Sequence, residues 1–148
     1  MVSPLNINLI IPFKDNKGDR LRLYLLEIQR FDDGIKERVE ELKGEVADMC
    51  GEDFALTIAA RSDGNAKRYY WRFKSSKADR KYNRLVAESV SGYVSSLDNQ
   101  VRIWLKGVEE ELIYLNANLK VIKGMRDAVE QSQVEQGQLY EATFCNRG

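Results

Sequence analysis

The sequence predicts an α+β chain, mainly α: a long antiparallel helical hairpin or bundle with a β-hairpin inserted between its helices. Three observations predict it. Apolar residues recur at 4–3 spacing up to residue 50 and again after residue 86, the period of helices with coiled-coil-like seams. Between the two runs the pattern switches to period two around a strong turn signal, the mark of a hairpin. Only two prolines interrupt 148 residues, and 31% of residues are charged, which suits long helices with wetted faces.

Residues 1–14 alternate loosely, with Leu5, Ile7, Leu9 and Ile11 against Asn6 and Asn8, and read as a short extended segment laid on the body. Residues 15–50 form the first helix. Its seam is Leu21, Leu25, Ile28, Ile35, Val39, Leu42, Val46 and Met49, with Asp32 at the one polar seam position. Its length is on the order of 50 Å at 1.5 Å per residue. Asp15 or Asp19 can cap its start, and Gly51 can end it. Its outer face is acidic: Glu27 to Glu52 holds nine acids and four bases.

Residues 54–74 form the hairpin. Phe54, Leu56, Ile58 and Ala60 alternate with smaller residues, and Ser62-Asp63-Gly64-Asn65 turns the chain, because Gly and Asn tolerate positive φ. Tyr69, Trp71 and Phe73 then alternate with Arg68, Tyr70, Arg72 and Lys74, giving one apolar and one basic face. Residues 77–136 contain no proline and keep a helical period. Ser75 or Ser76 can cap them. Their seam is Ala87, Val90, Val94, Leu97, Val101, Trp104, Val108, Leu112, Leu115, Leu119, Ile122, Met125 and Val129. They form either one rod or two shorter helices with a break near Ser95–Asp98, where Ser96 or Asp98 can cap. Residues 137–148 read as a tail, and the whole of 1–148 as a single domain without repeats. A long helix cannot bury a seam alone. The two seams therefore face each other antiparallel within one chain, or pair between chains as a homodimer.

Most active-site chemistry is excluded. The chain has no histidine, so it lacks Ser-His-Asp and Cys-His nucleophile pairs and His-ligated metal sites. It carries no phosphate loop and no dinucleotide fingerprint. Asp15, Asn16, Gly18 and Asp19 resemble a calcium loop only faintly, since Lys17 occupies a ligand position. Glu109-Glu110-Glu111 occupy successive helix positions that point in different directions, and read as a solvated face. No enzyme activity, cofactor or metal is expected. No segment reaches the roughly 20 apolar residues of a membrane span, and the start, cut by Pro4 and Pro12, is not read as a signal peptide. Cys50 and Cys145 form no CxxC pair and read as reduced thiols of a cytoplasmic protein, with one long-range disulfide as the alternative.

The charge is concentrated. Net charge is zero over the chain, but Arg61 to Arg84 holds nine bases and two acids, so that stretch carries +7 and the rest −7. Arg61, Lys67, Arg68, Arg72 and Lys74 on the hairpin, continued by Lys77, Arg80, Lys81 and Arg84 along the next helix, are the candidate contacts for phosphate. Tyr70 is the aromatic residue on the basic face, where it can stack on an unpaired base. Against this, Tyr69, Trp71 and Phe73 alternate in step with core packing, and the bases can complement the acidic first helix. The expected partner is nucleic acid or a nucleic-acid-binding protein complex.

Tyr69-Tyr70-Trp71-Arg72-Phe73, after a long helix and a short strand, resembles the aromatic-basic strand of a family of uncharacterised proteins carried on integrative conjugative elements. Glu111 to Leu119 is similar to that family's Leu-Asn-containing helical segment. The resemblance implies a small accessory protein of a bacterial mobile element, and no catalytic residues. Such elements also carry inhibitors of host defence, anti-CRISPR proteins among them, which bind and sequester a subunit of a large complex.

Overall fold

The computed structural model describes residues 19–63, 66–75 and 82–142. The elements are α1 (Asp19–Cys50), β1 (Leu56–Asp63), β2 (Ala66–Phe73), α2 (Glu88–Ser95) and α3 (Asn99–Tyr140). The fold is thus mainly α, with an antiparallel β-hairpin between α1 and α3. The expected extended segment at 1–14 lies outside the described residues. None of the described helices is long and apolar enough to cross a membrane.

Contacts divide the described residues into two compact units, one reaching to Gly34 and resuming at Val121, the other within Ile35–Lys120. In the first, Leu21, Tyr24, Ile28, Ile122 and Val129 are buried. Tyr24 takes the place expected for Leu25, because a 3.6-residue period counted back from Ile28 falls nearer to 24 than to 25. Asp32 is buried at its seam position and meets Arg126 of α3, Oδ2 to Nη2, at 3.5 Å. The same Nη2 donates to Gln29 Oε1 at 3.1 Å. A carboxylate on the core side of a helix is tolerated when it is paired in this way.

The second unit holds the hairpin. α1 contributes Ile35, Val39, Leu42 and Val46, and ends at Gly51, whose φ of +85° suits a residue without Cβ. Met49, assigned to the seam from spacing, is 52% exposed in the last turn of α1. Arg38 forks onto Glu111 of α3 through Nε and Nη2 at 2.8 and 3.0 Å, and also reaches Glu41 and Glu45. The bond to Glu111 pushes its guanidinium pKa above the ordinary range. Burial likewise raises the Cys50 thiol pKa.

The start of the helix expected from Lys77 lies outside the described residues. Residues 82–87 are not helical, α2 begins at Glu88, and the chain breaks at residues 96–98. Serine hydroxyls compete for the last carbonyls of α2: Ser95 Oγ donates to Ser91 O at 2.7 Å and Ser96 Oγ to Tyr93 O at 2.6 Å. The Asp98 carbonyl then accepts from the Arg102 N–H, opening α3. In α3, Leu105 is fully buried where Trp104 was expected, again the 3.6-residue period, counted from Leu112. The helix continues through Tyr140, past the expected start of a tail.

Candidate nucleic-acid interface

The register of the hairpin sorts its side chains. Leu56 pairs with Phe73, Ile58 with Trp71 and Ala60 with Tyr69, and on this face Leu56, Ile58, Tyr69 and Trp71 are buried. The opposite face pairs Thr57 with Arg72, Ala59 with Tyr70 and Arg61 with Arg68. Period-two alternation therefore places three arginines and a tyrosine on the side turned away from the buried one.

The base of the hairpin is fixed by α2. Tyr93 packs against Phe54 and Phe73 at centroid distances of 5.8 and 6.1 Å, and its hydroxyl oxygen accepts the Ala55 N–H at 3.1 Å. The edge of β2 away from β1 is closed by two asparagines. Asn83 exchanges both backbone hydrogen bonds with Trp71, at 2.9 and 2.8 Å. Two residues along, the buried Asn116 side chain of α3 takes the Tyr69 N–H on Oδ1 at 2.8 Å and donates Nδ2 to the Tyr69 carbonyl at 2.9 Å. One side-chain amide thus replaces the next strand residue and satisfies both backbone groups.

The bridge at Asn83 brings its two neighbours onto the basic face. The Tyr82 ring meets the Tyr70 ring edge-on, at 6.4 Å and 63°. The Arg84 guanidinium lies 5.0 Å over the Tyr70 ring and 3.3 Å from Glu109 Oε1, while Glu109 Oε2 accepts the Leu85 N–H. Arg84 therefore sits in an extended segment, and not on a helix as the periodicity implied. Glu109 is 7% exposed, so the acidic triplet is not a solvated face throughout; Glu110 alone of the three is fully on the surface.

Of the candidate contacts, Arg61, Arg68, Tyr70, Arg72 and Arg84 come together on this face. Lys67 is exposed but has the opposite strand parity, and Lys74 follows the end of β2, its Nζ 3.5 Å from the Glu52 carbonyl. Lys77, Arg80 and Lys81 lie outside the described residues. The side chains of Arg68 and Arg72 are half-buried and have no hydrogen bond or ion pair among the described residues. Arg61 and Arg68 stand directly opposite each other, which sets two like charges side by side on the face.

Tyr82, Asn83, Glu109 and Asn116 belong to this arrangement without being among the candidate contacts read from sequence, where Glu109 reads as part of a solvated face. The alternation Tyr82-Asn83-Arg84 was the available signal for the first, since it repeats the pattern of β2. No protein-family model matches this chain, and neither a curated protein nor a solved structure shows significant similarity to it.

Proposed function

We propose that this chain is a non-catalytic binding protein that contacts nucleic acid through the basic face of its hairpin. One observation carries the reading: Arg68 and Arg72 are half-buried cations, on one sheet face, with no counter-charge among the described residues. Cations without a counter-charge among the described residues are available to neutralise phosphates, and that term dominates nucleic-acid affinity. Arg61 adds to the face, and Tyr70 supplies a ring between the charges. The resemblance of the Tyr69–Phe73 strand to mobile-element proteins supports a role as an accessory of such an element.

The test is salt-dependent binding of the full chain to DNA and RNA. Arg68→Ala with Arg72→Ala is expected to leave the circular dichroism spectrum unchanged, because neither side chain has a hydrogen bond or ion pair among the described residues. The double variant is expected to reduce the slope of log K against log salt by about two. Absence of any shifted band at low salt rejects the reading.

A second reading is favoured by one observation. Within the hairpin unit, α3 leaves Ile103, Ile113 and Tyr114 exposed at 64%, 49% and 49%. Apolar residues on an outer helix face suit a protein partner, as in an inhibitor of host defence that sequesters a subunit of a nucleic-acid-binding complex. This reading predicts a stoichiometric protein partner captured from host lysate after nuclease treatment. Recovery of none counts against it.

A further inference from the structure

The basic face has a chemistry that separates unpaired from paired nucleic acid; the inference rests on the nucleic-acid reading above. Tyr70 lies at its centre, with Arg68 two residues before it and Arg72 two residues after it on the same strand face. At ~3.3 Å per residue the two arginine Cα atoms lie about 13 Å apart. Beside Tyr70 stands Tyr82, whose one aromatic contact among the described residues is the T-shaped one with Tyr70. The Tyr82 hydroxyl has no hydrogen bond there either.

A paired base shows a groove only its edge, which is read by hydrogen-bonding groups. The middle of this face is Ala59, buried, opposite Tyr70, whose ring carries the Arg84 guanidinium already bound by Glu109. An unpaired base exposes its π face, and aromatic rings carried on adjacent strands of a sheet take such bases by stacking. Tyr70 already has Arg84 over its ring, whereas the half-buried Tyr82 has no cation over its ring among the described residues and is the better placed of the two to receive a base. Tyr70 braces it, and Glu109 holds Arg84 in place.

We infer that this face binds single-stranded nucleic acid, with an unpaired base stacked on Tyr82 and backbone phosphates at Arg68 and Arg72. The experiment measures fluorescence anisotropy of a labelled oligothymidylate and of a duplex of the same length, titrated with the full chain at low and moderate salt. The oligothymidylate binds about tenfold more tightly than the duplex, and Tyr82→Leu removes roughly tenfold of its affinity while leaving duplex binding unchanged. Tyr82→Phe, which keeps the ring, binds as wild type.

Duplex bound as tightly as single strand overturns the inference and leaves the nucleic-acid reading standing; so does wild-type affinity in Tyr82→Leu. Heparin bound as tightly as oligothymidylate marks charge alone and also overturns it. A folded chain that binds neither nucleic acid removes both readings. If Tyr82→Leu does not fold, the single-strand to duplex ratio of the wild type and of Tyr82→Phe decides the matter.

Discussion

Asn116→Ala is expected to lower the free energy of unfolding by about 3 kcal/mol. Two backbone groups of Tyr69 lose their partner at once, its N–H at 2.8 Å and its carbonyl at 2.9 Å. Both face away from β1, on the edge where Asn83 completes the bonding of Trp71. Asn116 is 6% exposed, so water has little access to take over. A buried donor or acceptor left alone costs about 1–3 kcal/mol, and here there is one of each. Asn116→Leu separates this loss from the cavity term, since it restores volume without polar atoms and should cost nearly as much. The measurement is urea unfolding, with a lower midpoint and an unchanged slope. Hydrogen exchange should show the Tyr69 amide losing protection first. A loss below about 1 kcal/mol would mean that the amide is satisfied some other way.

The contrast between what the sequence showed and what it hid has a physical basis. Helix, hairpin and helix were legible because each buries one face, and burial imposes a period that composition alone reveals. The details that slipped were those of phase. Leu25 belongs to a strict 3.5-residue seam, whereas Tyr24 follows the natural turn of the helix; Trp104 continues the frame of Leu97 and Val101, whereas Leu105 lies one heptad before Leu112. The break at residues 96–98 was legible only as an alternative, because apolar spacing ran on across it. It is set by the hydroxyls of Ser95 and Ser96, short-range bonds that leave no mark on periodicity.

The basic face was legible in charge and alternation, but not its outer third. Residues 82–84 carry a pattern compatible with a helix start, and their extended form is imposed by the open edge of β2, a tertiary demand. Glu109 and Asn116 were opaque for a related reason. Polar residues on a helix are read as solvated unless something across the core needs them. What needs them here are backbone groups of Leu85 and Tyr69, which local sequence does not identify.

Trp71→Ala is expected to cost about 4 kcal/mol, the largest single effect in the chain. Its side chain is fully buried, the largest to be so, and sits on β2 across from Ile58. Removing it leaves a cavity that the strand cannot close, because Trp71 is held through its backbone to Asn83 on one side and its strand is paired with β1 on the other. Trp71→Phe should be much milder, about 1–2 kcal/mol, for a reason specific to this site. The indole Nε1 is buried and has no hydrogen-bond partner among the described residues, so the ring carries a desolvation penalty that phenylalanine lacks. Part of the lost packing is therefore offset. Unfolding curves of the two variants test this, and an equal loss in both would place the indole N–H in a hydrogen bond. The functional consequence follows from the same backbone bridge. Asn83 carries Tyr82 and Arg84 on either side, so a strand loosened at Trp71 no longer holds those two residues against Tyr70. Trp71→Ala, measured below its unfolding temperature, should then lose single-strand affinity without losing any cation of the face.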